Sequence, residues 1–122
     1  MKKDAIALVG QFSNSILKQR EAIRSGTTRQ VRYYGRKLVP IAKKLLQMGD
    51  DGKREFATLL DNPDKEIRAT AAVYLISSMP DKALSVFREL AEADDFDAEC
   101  AQLRIKEWEE HPEHYDPSNW VP

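Results

Sequence analysis

Only one cysteine, Cys100, occurs among the 122 residues. A lone thiol closes no internal disulfide, so nothing in the chain points to an oxidising compartment. Long apolar runs are missing too. No stretch approaches the ~18 apolar residues that a membrane-spanning helix needs. The apolar run near the start ends at Val9, and Gly10, Gln11, Ser13 and Asn14 keep it from continuing. A signal peptide requires a longer apolar core and a small-residue cleavage site. These absences set the expectation of a cytoplasmic chain without membrane contact. Alternating apolar and polar residues, the mark of a half-buried strand, are found nowhere. An excess of one charge is also lacking. Nineteen Lys+Arg stand against twenty Asp+Glu, a net charge of -1. A general polyanion binder is basic overall, so that class is disfavoured. A hydrophobic content of 42% excludes a chain that is disordered throughout, and the length is that of one ordinary domain.

The charge that is present is unevenly spread. Residues 1–60 hold thirteen Lys+Arg and five Asp+Glu, a balance of +8. Residues 61–122 hold six and fifteen, a balance of -9. Such asymmetry marks an electrostatic surface worth locating.

Apolar periodicity predicts an all-α chain of about six helices and no sheet. Ala5, Leu8, Val9, Phe12, Ile16 and Ile23 recur at three- and four-residue steps, giving a first helix over 4–25. Asp4 is its candidate N-cap, and Ser25-Gly26 closes it. Thr27 and Gln30 have capping-box spacing at the start of a second helix, whose apolar stripe is Val31, Tyr34, Leu38, Ile41 and Leu45. Pro40 falls inside that stripe and predicts a kink or break near Val39. Residues 47–52 read as a loop, followed by a short helix at 53–60 with Phe56, Leu59 and Leu60. A turn at 61–64 has Asx and proline chemistry. The next helix, 65–78, turns Ile67, Ala71, Ala72, Leu75 and Ile76 inward. Pro80 suits the first position of a further helix bearing Ala83, Leu84, Phe87, Leu90 and Ala91. After an acidic turn at 94–97, a last helix over 97–110 shows Ala98, Ala101, Ile105 and Trp108. Residues 111–122 hold three prolines and no period, so they read as a tail, extended as a strap or disordered.

A weak repeat emerges in the second half. Leu59-Leu60, an acidic turn and Ile67-Arg68 are echoed about 31 residues later by Leu90-Ala91, an acidic turn and Ala98-Glu99. The stretch from Phe56 to Leu75 resembles a HEAT repeat in its aspartate turn, its Ile67-Arg68 pair and its small residues Ala71 and Ala72. Residues 5–110 as a whole resemble a small bacterial HEAT-like family of unknown function. The resemblance is carried by Leu8-Val9 with Phe12, by Glu21-Ala22-Ile23 with Gly26, and by the loop from Gly49 to Gly52. Ile67-Arg68 and Lys106-Glu107-Trp108 complete it. It implies one HEAT-like domain over 1–110, a right-handed α-α superhelix, followed by the tail 111–122. It also implies that Arg68 reaches a neighbouring acidic turn, here Asp94 or Asp95. By analogy with other HEAT proteins it implies protein binding, and an immunity-type or adaptor role is one form of that.

Several clusters bear chemistry, each with a plainer reading beside it. Arg29, Arg32, Arg36 and Lys43 share a face of the second helix opposite its apolar stripe, with Tyr33, Lys37 and Lys44 beside them. This face serves an acidic protein partner or, with Tyr33 as a stacking ring, nucleic acid; the plainer reading is a solvated face. Trp120 either anchors the tail or inserts into a partner. Asp94, Asp95, Asp97 and Glu99 cap a helix start, and residues 94–105 lack the glycine and terminal Glu of a calcium loop. His111 and His114, with Asp116 nearby, stand in a segment with prolines at 112 and 117, no cysteine and no second pair of ligands, a weak metal signal, so no metal and no cofactor is expected. Cys100 has no base in reach by sequence and reads as a small packed residue. With no catalytic set, the expectation is a non-enzymatic protein-binding domain with an acidic partner. Nucleic-acid binding through the basic face is the alternative. Self-association is a third course, a monomer or a weak salt-sensitive homo-oligomer in which the basic half meets the acidic half of another copy.

Overall fold

The structure, a computed structural model, describes residues 2–121. Among them are six α-helices, three short 3-10 helices and no strand. The helices are α1 (Lys2–Ser25), α2 (Thr28–Gln47), α3 (Asp50–Ala57), α4 (Lys65–Leu75), α5 (Pro80–Ala91) and α6 (Phe96–Glu110). The chain divides after Thr58 into two compact units, within a 3-10 helix at Thr58–Asp61. That division also separates the charge, because residues 59 and 60 are both leucine.

In the first unit α1 and α2 form an antiparallel hairpin. Gly26, at φ 74°, closes α1 in the left-handed conformation that its missing Cβ permits. The Gly26 N–H donates to the Ile23 carbonyl and the Thr27 N–H to the Ala22 carbonyl, the paired bonds of a Schellman motif. This same motif removes the expected capping box. The Thr27 N–H, which Gln30 would have accepted, is already given to Ala22, and the Thr27 hydroxyl pairs with Ser25 Oγ at 3.0 Å. Thr27 remains the N-cap of α2 by backbone alone. Asp4 is no cap either: α1 starts at Lys2, so Asp4 lies in its first turn, where negative charge is favourable.

The break expected at Pro40 does not occur. Helix α2 runs unbroken from Thr28 to Gln47. A mid-helix proline costs about 3 kcal/mol. Burial of Leu38, Val39, Ile41, Ala42 and Leu45 around it offsets that cost, at roughly 1.5–3 kcal/mol for each fully buried large side chain. Gln19 on α1 donates through Nε2 to the Val31 carbonyl at 3.2 Å, and its amide passes over Gly35, where a Cβ would crowd it.

The loop expected at 47–52 shrinks to two residues, since α3 begins at Asp50 after Gly49 at φ 74°. Asp50 and Asp51 then occupy the first turn of a helix. Gly52 is buried, with the Leu45 carbonyl and Met48 Cβ where a side chain would start. Phe56 on α3 meets Phe12 on α1 edge-on, with centroids 4.9 Å apart. Both rings are fully buried.

The second unit, Leu59–Trp120, contains α4, α5 and α6 in sequential packing. Asn62 Oδ1 accepts from the Asp64 N–H, and Asp64 Oδ1 accepts from the N–H groups of Glu66 and Ile67. Asp95, 31 residues on, caps α6 in the same way by accepting from Ala98. The sequence echo therefore has a shared local device. Pro80 opens α5 as expected. Buried Val86 joins Ala83, Phe87 and Leu90 there, whereas Leu84 and Ala91 are half-buried.

The tail differs from the expectation of an extended or disordered strap. Pro112–Tyr115 and Pro117–Asn119 are 3-10 helices, and Tyr115 is 3% exposed. The Tyr115 hydroxyl donates to Glu107 Oε1 at 2.5 Å. Its carbonyl accepts from Trp120 Nε1 at 3.1 Å, and the Trp120 ring meets Tyr74 edge-on at 4.9 Å. Two polar tethers and an aromatic contact fold the segment back.

Candidate functional site

Helix spacing accounts for the main site. Residues 29, 32, 33, 36, 37 and 40 fall on one stripe of α2 at three- and four-residue steps. Arg29, Arg32, Tyr33, Arg36 and Lys37 are all exposed along it. They line a surface groove of about 840 Å³, together with Thr28, Pro40, Ile41 and, from α1, Gln11. No carboxylate is among the described residues that line it. Among the described residues, no ion pair involves Arg29, Arg32, Arg36 or Lys37. The groove is thus cationic with an apolar floor, and among the described residues no ion pair meets its charge. Lys37 Nζ lies 4.5 Å from the Tyr33 ring centroid and 5.7 Å from that of Tyr34. The two tyrosines meet edge-on at 5.0 Å.

Lys43 and Lys44 do not line this groove. Lys43 is half-buried and Lys44 is exposed beyond the end of the groove at Ile41. Trp120 is half-buried against Tyr74 in the second unit, so its ring already has a partner. Gln11 gives no signal in the sequence, because its place depends on how α1 lies on α2, which no local pattern encodes.

The expected reach of Arg68 to Asp94 or Asp95 is corrected. Arg68 Nη1 donates to the carbonyls of Asn62 at 2.9 Å and Pro63 at 3.2 Å, and Nη2 lies 3.8 Å from Glu89 Oε1. The reason is directional: helical side chains lean toward the helix N-terminus, so Arg68 folds over the turn that precedes α4. Asp95 instead caps α6 and lies 3.8 Å from Lys65 Nζ. Asp94 is exposed.

A groove of about 330 Å³ in the second unit is lined by residues of α4, α5 and α6, including Tyr74, Phe96, Cys100 and Arg104. Burial there pushes the Tyr74 hydroxyl above its ordinary pKa, and Arg104 opposes this. Cys100 is half-buried on that wall.

At the end of α6, the pair Glu107–Tyr115 has shifted acidities. The Tyr115 hydroxyl holds the Glu107 carboxyl below its usual range against the opposing effect of burial, and His114 and Arg104 add to it. Burial, then Glu107, pushes the Tyr115 hydroxyl up. The lowered carboxyl contributes stability above its ordinary pKa of 4.5, lost as pH falls through the folded value. The raised phenol contributes stability below 10.0, lost as pH rises through the folded value. Denaturant unfolding from pH 5 to pH 3 is therefore expected to weaken the wild type more than Glu107→Gln. Equal acid sensitivity would contradict the assigned pair.

Comparison with protein-family models, with curated proteins and with solved structures gives no match for this chain. Among the described residues, no helix is long and apolar enough to cross a membrane.

Proposed function

We propose that the chain is a non-enzymatic, protein-binding helical domain whose α1–α2 groove docks an acidic segment of a partner protein. One observation carries the reading: Arg29, Arg32, Tyr33, Arg36 and Lys37, singled out from the sequence, line a single groove with no carboxylate among its described lining residues. Unpaired cations beside apolar surface favour a partner that brings both carboxylates and a hydrophobic side chain. The repeated cap at Asp64 and Asp95 supports a helical-repeat character of the HEAT-like kind. Adaptor and immunity-type roles both take this form. Protein is favoured over nucleic acid because Lys37 lies over the Tyr33 ring and Tyr34 meets it edge-on, leaving less of the ring for a base.

Fluorescence anisotropy tests the reading with a labelled peptide of alternating Asp, Glu and Leu. Binding is expected at low salt, weakening as salt rises, with at least tenfold loss in the double variant Arg32→Glu, Arg36→Glu. Unchanged affinity in that variant would overturn the docking site. Tighter binding of a single-stranded oligonucleotide than of the peptide, with affinity falling steeply against log salt, would replace it with the nucleic-acid alternative.

A further inference from the structure

The His-x-x-His at 111 and 114 looks weak in sequence because it has no cysteine and no second pair of ligands beside it. Pro112, inside the motif, helps to build the arrangement that gives it weight. His111 ends α6, and Pro112 opens a 3-10 helix that holds His114. His111 is the residue just before that helix, at φ -140° and ψ 63°, three positions from His114. The two imidazoles stack, with centroids 4.8 Å apart and planes 12° from parallel.

Each ring also faces a carboxylate. His111 Nδ1 lies 3.0 Å from Glu113 Oε1, and His114 Nδ1 lies 3.4 Å from Glu107 Oε2. One ligating atom from each of His111, Glu113 and His114 lies within 4.8 Å of the others. All three side chains are exposed, so they rotate without disturbing a core. The backbone beneath them is held. Tyr115 is buried at the end of the turn, the His114 N–H donates to the His111 carbonyl at 3.0 Å, and Asn119 Nδ2 donates to the Glu113 carbonyl at 2.8 Å.

We propose that His111, His114 and Glu113 bind one divalent transition-metal ion of the zinc class. Two imidazoles and one carboxylate are a donor set suited to zinc, with water in the remaining position. Ligand atoms about 2.0–2.2 Å from a tetrahedral zinc are roughly 3.3 Å from one another. His111 Nδ1 and Glu113 Oε1 already stand near that separation. The ion takes the place of the proton between them. His114 closes on it by rotation of an exposed side chain. Glu107 accepts the His114 Nδ1 proton, which leaves Nε2 as the donor and orients the ring, the usual role of a carboxylate behind a metal-bound histidine. The ion would pin the tail turn to the end of α6 without any contribution from the α2 groove.

The test is calorimetric titration of ZnCl2 into the tag-free, EDTA-treated full chain near neutral pH. One ion per chain with a micromolar Kd is expected. His111→Ala and His114→Ala should each weaken binding at least tenfold, and Glu113→Gln should weaken it by a smaller factor. Circular dichroism of each variant confirms that exposed substitutions leave the fold intact. Cys100 and His111 line a common surface depression, so Cys100→Ser is the control and should bind as the wild type does. Less than one ion per chain, a millimolar Kd, or unchanged affinity in both histidine variants would overturn the site. Loss of binding in Cys100→Ser would overturn the assigned ligand set.

Discussion

Gly52→Ala is expected to destabilise the chain by about 3 kcal/mol, although alanine is the better helix former. The substitution places a Cβ on top of the Leu45 carbonyl oxygen and against Met48 Cβ. The obstacle is the main chain of α2 near its end, which has no rotamer to change. Relief requires α3 to move, and α3 carries Phe56 into contact with Phe12. Propensity alone would favour alanine by about 1 kcal/mol, so the sign of the result separates the two effects. Gly35→Ala is the matched control. There the added Cβ meets only Gln19 Nε2, the far end of a flexible side chain, at 2.7 Å. That variant should lie within about 1 kcal/mol of wild type, with the gain in propensity set against loss of the Gln19–Val31 bond. Urea unfolding of both variants decides the matter. Gly52→Ala with wild-type stability would show that α3 does not press on α2 as described.

Tyr115→Ala should cost about 3–5 kcal/mol, the range for deleting a buried aromatic ring. Its ring fills the space beneath the tail, beside Trp108 at 6.1 Å between centroids. Its hydroxyl reaches Glu107, and its carbonyl holds Trp120. Losing the ring releases the segment, so Trp120 should leave Tyr74 and its fluorescence should shift to the red. Tyr115→Phe keeps the packing and removes one charge-assisted hydrogen bond. Its cost should be about 1.5–3 kcal/mol at most, reduced because Glu107 is partly exposed and retains His114 and Arg104 nearby. An unshifted Trp120 signal in Tyr115→Ala would mean that the tail is held by something other than this tyrosine.

The reach of local pattern is clearest at Arg68 and at residues 47–52. The resemblance of residues 56–75 to a HEAT repeat implies that Arg68 is a structural arginine, and its neighbours Ile67, Ala71 and Ala72 are buried. Its acceptors were not legible, because several carbonyls and carboxylates lie within a long side chain's reach and only backbone placement chooses among them. The acidic, glycine-containing stretch 47–52 reads as loop by composition. Most of it folds as helix because Gly49 turns the chain at positive φ and Gly52 lets α3 close on α2. The cationic groove lies between these cases. Its α2 stripe was legible at helical spacing, whereas its Gln11 wall and the exclusion of Lys43 and Lys44 were not.

Residue order alone dictates the all-α class, most helix boundaries, the caps at Asp64 and Asp95, the stop at Gly26, the start at Pro80 and the division of charge. Each of these rests on interactions within a few residues, where the order of side chains is itself the geometry. The continuity of α2 through Pro40, the partners of Arg68 and the folded tail come instead from three-dimensional packing. Those outcomes depend on burial and on groups brought together by chain reversal. There a local penalty, such as a mid-helix proline or a proline-rich tail, is outweighed by contacts that periodicity and spacing do not contain.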